Sequence, residues 1–148
     1  MPRTRRPSTA PGCPRTAAPE LRPRGRVGCG VDVVDIARFA RVLRRQGEAF
    51  LARVFTSAEQ AYANGRPRTR LLHLAGRFAA KEAVLKALSQ VDPRRKLTMK
   101  QIEILNDGGG RPYVVLRDGR AGRPRRARIS VSLSHVARVA VASALVER

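Results

Sequence analysis

The chain has 148 residues, about one ordinary domain, and carries 31 Lys and Arg against 11 Asp and Glu for a formal net charge of +20. A core can form at this length without disulfides, and the two cysteines, Cys13 and Cys29, are too few for a zinc knuckle or a disulfide framework. No run of about 18 apolar residues is present, which excludes a membrane-spanning helix.

Only Lys81, Lys86, Lys96 and Lys100 are lysines, so the positive charge is overwhelmingly arginine. Genomic base composition accounts for such a bias as readily as an anionic partner does, and charge alone does not choose between them. Residues 1–26 hold seven Arg, one acid (Glu20) and prolines at 2, 7, 11, 14, 19 and 23. They lack the apolar stretch of a secretory signal, and the prolines oppose the amphipathic helix of a transit peptide. The segment is expected to be a disordered leader, either a basic tail or the product of an upstream start, and the protein to be cytoplasmic.

The folded domain is expected over 27–148. Val27 to Val34 are rich in β-branched residues and predict a strand, with Gly28 and Gly30 placed for a ligand or another backbone to come close. Ile36, Phe39, Ala40 and Leu43 follow at helical spacing as far as Gly47, and a short helix carries Phe50, Val54 and Phe55. Thr56-Ser57-Ala58-Glu59 is a capping box opening a helix that Asn64-Gly65 closes. The longest predicted helix spans 70–89. Its apolar stripe is Leu71, Leu74, Ala75, Phe78, Leu85 and Leu88, with Arg77, Lys81, Glu82 and Lys86 off the stripe. Ala75, Ala79, Ala80 and Ala83 on the same helix imply a closely packed neighbour. The period then drops to two: strands over 101–106 and 112–116 flank the turn Asp107-Gly-Gly-Gly110, and a Gly/Arg/Pro loop covers 119–128. Ile129 to His135 alternates apolar residues with Ser130, Ser132 and Ser134, and 139–146 is a final apolar strand. The expected class is α+β, an antiparallel sheet packed on one long helix plus shorter helices.

The chemistry-bearing residues are ambiguous one by one. Asp32 sits between Val31 and Val33, where Asp is disfavoured, yet an outward-facing strand position or a turn cap would explain it too. Glu82 and Lys86 make an i, i+4 pair suited to a solvated helix face, and Lys81 suits the same face. Against that, Arg77, Lys81 and Lys86 surround one carboxylate, the composition that a magnesium–pyrophosphate site uses. His135 ends the serine-rich strand, where a lone His is more often structural than catalytic, and His73 has no assigned role. The chain contains no phosphate-binding Gly-x-x-x-x-Gly-Lys loop, no dinucleotide fingerprint and no Gly-x-Ser-x-Gly elbow. A nucleic-acid-binding module would explain the charge. Six Phe and Tyr with no Trp, and no recognition-helix pattern, leave it the folded core unexplained.

Four segments, in order, resemble the holo-acyl-carrier-protein synthases, the short class of 4′-phosphopantetheinyl transferases. They are Gly28-Cys-Gly-Val-Asp-Val-Val-Asp-Ile-Ala-Arg38, Arg53-Val-Phe-Thr-Ser-Ala-Glu59, Gly76-Arg-Phe-Ala-Ala-Lys-Glu-Ala-Val-Leu-Lys-Ala-Leu88 and Val131-Ser-Leu-Ser-His135. The resemblance implies that the phosphopantetheine arm of coenzyme A passes to a serine of an apo acyl carrier protein, releasing adenosine 3′,5′-bisphosphate. It implies Asp32 and Glu82 as magnesium ligands, Lys86 against the phosphates, and Arg77 and His135 on the nucleotide. Arg38, Arg41, Arg44 and Arg45 would meet the acidic carrier protein. It further implies a homotrimer with the cofactor in clefts between subunits, and no nucleic acid or membrane as partner. In one respect the chain departs from the family: an acid commonly follows the Ser-His pair, and here Val136 does. That puts a base role for that position in doubt and keeps open a relative that binds carrier protein without turning over.

Overall fold

The computed structural model describes residues 25–117 and 127–148. Ten elements follow in order: β1 (Val27–Asp35), α1 (Ile36–Val54), α2 (Ser57–Asn64), a 3₁₀ turn (Pro67–Thr69), α3 (Arg70–Val91), a second 3₁₀ turn (Met99–Gln101), β2 (Ile102–Asn106), β3 (Pro112–Leu116), β4 (Arg128–His135) and β5 (Val139–Glu147). Most of the leader and of the loop read at 119–128 lies outside the described residues. Arg26, at the end of that leader, exchanges two backbone hydrogen bonds of 2.9 Å with Arg148, one step beyond the β1–β5 ladder.

The class is the expected α+β with antiparallel pairing around one long helix, but the strands divide into two sheets. One has the order β1-β5-β4 and the other is the hairpin β2-β3. The division is non-local: β1 pairs with β5, so Val27 lies opposite Glu147 and Asp35 opposite Val139, across almost the whole described chain.

The helix α3 is the centre of the molecule. Its Leu74, Ala75, Ala79, Ala80, Ala83, Val84, Ala87 and Leu88 are buried, because the three-stranded sheet covers one side and α1, α2 and β2 cover others. The small residues let β1 lie directly on it. A Cβ at Gly28 would stand 2.1 Å from the Ala87 carbonyl oxygen, and one at Gly30 would stand 2.0 Å from that of Ala83, so strand and helix touch main chain to main chain. Another backbone therefore fills the space that the two glycines open.

Two expectations for α3 need correction. Arg77 and Lys81 were read as lying off the packed stripe, with Lys81 on a solvated face; they are 3% and 0% exposed. A helix packed on one side only keeps such residues in water, whereas α3 is enclosed on several sides, so their heads must find partners indoors.

Before α3, the carboxylate of Asp35 caps α1 by accepting from the Arg38 backbone N–H at 2.6 Å. Gly47, at φ +51°, breaks the helical path of α1, which accounts for the predicted pair of helices. The four phenylalanines meet in one cluster: Phe39 lies 5.5 Å from Phe78 and 5.9 Å from Phe50, and Phe50 lies 6.4 Å from Phe55 between ring centres. The capping box at Thr56 and Glu59 forms as read. No helix among the described residues is long and apolar enough to cross a membrane.

Candidate active site

On β1 the alternation turns Gly28, Gly30, Asp32 and Val34 toward α3 and leaves Val27, Val31 and Val33 on the outer face. The glycine contacts bring Asp32 to the stretch of α3 that carries Glu82 and Lys86. The Lys86 ammonium donates to Asp32 Oδ1 at 2.8 Å and to the Val31 carbonyl oxygen at 2.9 Å. Asp32 keeps 17% side-chain exposure and Lys86 keeps 50%, so the pair stands at an open edge. The hydrogen bond to Asp32 and the charges of Asp32 and Glu82 hold Lys86 above the usual lysine range.

Glu82 stands beside them, half-buried, one turn before Lys86. Its carboxyl is pushed above the usual carboxylate range, first by burial and then by the negative charge of Asp32, while Lys86 pulls it back. Two neighbouring carboxylates, with a single lysine on one oxygen, form a donor set suited to a hard divalent ion. Magnesium commonly takes one or two carboxylates and completes its shell with water and phosphate. On chemistry, the residues fit that ion.

Arg77 and His135 belong to a different cluster. The Arg77 guanidinium donates to Asn106 Oδ1 at 2.7 Å and to the His73 carbonyl oxygen at 3.4 Å, and lies 4.0 Å from the centre of the Tyr62 ring. Arg66 lies 3.8 Å from the same ring. The His73 ring stands edge-on between its neighbours, 5.3 Å from Tyr62 and 6.1 Å from His135. Burial, followed by the charges of Arg77, Arg66 and His135, holds His73 below the usual imidazole range. The Nε of Arg77 is buried with no hydrogen-bond partner among the described residues. Sequence reasoning assigned no part to Tyr62, His73 or Asn106; nothing in their local spacing marks them, since only the tertiary fold gathers them around Arg77. Arg38, Arg41, Arg44 and Arg45 are exposed along the first part of α1.

Val136 opens the turn between β4 and β5. Its N–H donates to the Val139 carbonyl oxygen at 2.9 Å, and its side chain is 67% exposed.

Lys81 plays no part in either cluster. Its ammonium donates to Glu59 Oε2 at 2.7 Å, to the Val54 carbonyl oxygen at 2.8 Å and to that of Met99 at 3.0 Å, which satisfies all three protons. Glu59 also accepts from the backbone N–H groups of Thr56 at 2.8 Å and Ile104 at 2.9 Å. Buried Glu103 accepts from the Thr56 hydroxyl and from Arg117, both at 2.7 Å.

Comparison with known proteins places this architecture. Residues 28–142 match the family described as the 4′-phosphopantetheinyl transferase superfamily, and the chain belongs to that family. Within it, the chain is 46% identical over 119 residues to the holo-[acyl-carrier-protein] synthase of Chlorobaculum tepidum, covering 80% of this chain and 96% of the relative. Solved structures share the fold, among them two complexes. The ACPS–CoA complex of Chronobacterium ammoniagenes is 34% identical with a TM-score of 0.70, covering 81% of this chain and 96% of that one. The holo-(acyl-carrier-protein) synthase of Bacillus anthracis, in complex with CoA (3′,5′-ADP), is 31% identical with a TM-score of 0.67, covering 83% and 97%.

Proposed function

We propose that this protein transfers the 4′-phosphopantetheine arm of coenzyme A to a serine hydroxyl of an apo acyl carrier protein, with magnesium, releasing adenosine 3′,5′-bisphosphate. The carrying observation is the meeting of Asp32, Glu82 and Lys86 at an open edge of a domain in this family. The names and ligands of the relatives support the substrate pair.

In the reaction the serine oxygen bonds to the phosphorus that bears pantetheine, and the bond from that phosphorus to the bridging oxygen of the nucleotide breaks. The serine proton is released, and the nucleotide leaves carrying the negative charge. Asp32 and Glu82 would hold the magnesium ion, which supplies Lewis-acid charge neutralisation and a template for the pyrophosphate. Lys86 offers its ammonium to phosphate oxygens. Arg77, with its unpartnered buried Nε, and His135 would take the nucleotide portion. With Val136 after His135, no carboxylate of that position is available to accept the serine proton.

The exposed arginines at 38, 41 and 45 suit an acidic carrier domain. The outer face of β1 and β5 exposes Val31, Val33, Val141 and Leu145, an apolar patch that supports a homotrimer. We read residues 27–148 as the transferase domain and its setting as the cytoplasm, where carriers of fatty acid or polyketide assembly work.

The test incubates the protein with coenzyme A, Mg²⁺ and apo carrier proteins and reads carrier mass. Gain of phosphopantetheine is expected, and its absence on every apo carrier would overturn the proposal. Light scattering on the eluting protein checks the trimer.

A further inference from the structure

The two lysines of α3 that meet carboxylates are held differently. Lys81 has all three protons satisfied and no exposed surface, so its position is fixed by the core. Lys86 has two acceptors, Asp32 Oδ1 and the Val31 carbonyl oxygen, and half of its side chain is in water. Its four-carbon stem allows the ammonium to leave Asp32 at little cost. Glu82 accepts no hydrogen bond from any described residue, so of the two acids Asp32 alone already carries a cation.

We infer that Lys86 is an exchangeable counter-ion, whose ammonium occupies the Asp32 carboxylate until a divalent cation takes that oxygen and is thereby freed toward the phosphates of the substrate. The inference rests on the reading of Asp32 and Glu82 as the metal ligands. An ammonium and a doubly charged ion on one carboxylate oxygen repel one another by several times thermal energy even in wet surroundings, which favours exchange of one for the other. The site is therefore partly neutralised before the metal arrives, and metal entry is linked to release of the lysine. Metal affinity is lowered in exchange, since each binding event must first displace a bound charge.

Direct metal binding tests this without turnover. Mn²⁺ alone is titrated into the full chain, and free Mn²⁺ is read by electron paramagnetic resonance. Lys86→Gln should bind Mn²⁺ about tenfold more tightly than the unsubstituted protein. Lys86→Arg, which keeps the charge, should stay within about threefold of it. Asp32→Asn should lose the site. Equal or weaker binding by Lys86→Gln, with binding still dependent on Asp32, would overturn the inference while leaving the metal site standing. Binding indifferent to Asp32 would remove the ligand reading and the inference with it. In the unsubstituted protein, the ¹⁵N signal of the Lys86 ammonium should shift or broaden as Mg²⁺ saturates the site. An unchanged signal at saturation is the opposing result and needs no variant to fold.

Discussion

Lys81 and Glu82 are consecutive on α3, yet they serve two clusters that are built on opposite terms. Lys81 and Glu59 are fully enclosed and each proton of the lysine has an acceptor; Glu59, Glu103, Thr56 and two carbonyl oxygens lock the end of α1, the start of α2 and the approach to β2 against one helix. Around Glu82 the charges are few, half in water and incompletely matched, with Asp32 and Glu82 opposing one another and one lysine between them and the solvent. A buried ion pair is tolerated only when its hydrogen bonds are complete, and it then acts as a fixed joint. An incompletely matched group at an edge is poorly suited to holding a fold together and well suited to receiving a ligand.

Breaking the closed cluster should have the largest effect. Lys81→Met leaves Glu59 buried without its cation, and should cost about 3–5 kcal/mol in denaturant unfolding. A loss below about 1 kcal/mol would show that the cluster is not a joint at all. Next, Asp32→Ala and Glu82→Ala should each lower carrier modification by about 100-fold or more while the secondary structure and melting profile stay near those of the parent. Near-normal rates in either would dissolve the contrast, since the open cluster would then have no chemical task. Smaller again, Lys86→Met should leave Tm within about 3 °C of the parent, because a half-exposed pair adds little to stability. A drop as large as that of Lys81→Met would mean the two lysines are equivalent after all.

The smallest effect has a distinctive sign. Glu82 binds its proton more tightly in the folded protein than in the unfolded chain, so it favours folding at acidic pH and opposes it increasingly as pH rises through its raised pKa. Glu82→Gln should therefore melt slightly higher than the parent at pH 7, by a few degrees at most, with the gap closing on acidification toward the ordinary carboxylate range. Activity should be lost in the same variant. A lower Tm at neutral pH would mean that the acid supports the fold.

These clusters were unequally readable in the sequence, for physical reasons. The capping box at Thr56 and Glu59, the strand at β1 and the length of α3 rest on neighbours within a few residues, where spacing carries the signal. The glycines at 28 and 30 were legible as a place of close approach, although the approaching group, the main chain of α3, was not. The burial of Arg77 and Lys81 was hidden because a helical stripe describes one packed side, and α3 has several. Glu59 announced its role as a cap and concealed its second role as the partner of Lys81, which needs a residue 22 positions away. The split into a three-stranded and a two-stranded sheet rests on the pairing of the first strand with the last, which no local period encodes. Asp32 and Glu82 were each explicable as surface acids; motif resemblance joined them, and the fold brings them within electrostatic reach.

The contact of Gly28 and Gly30 with the carbonyl oxygens of Ala87 and Ala83 has a consequence for redesign. Because the strand carrying one acid rests on the backbone of the helix carrying the other, the gap between the acids is set by main-chain thickness rather than by side-chain size. Swapping core residues elsewhere would change stability and leave that gap alone. Retuning the site for a larger ion would require adding bulk at both glycines together with a compensating shift along α3, since a single added methyl has nowhere to go. The spacing behaves as a machined clearance: reproducible from molecule to molecule, and not adjustable one residue at a time.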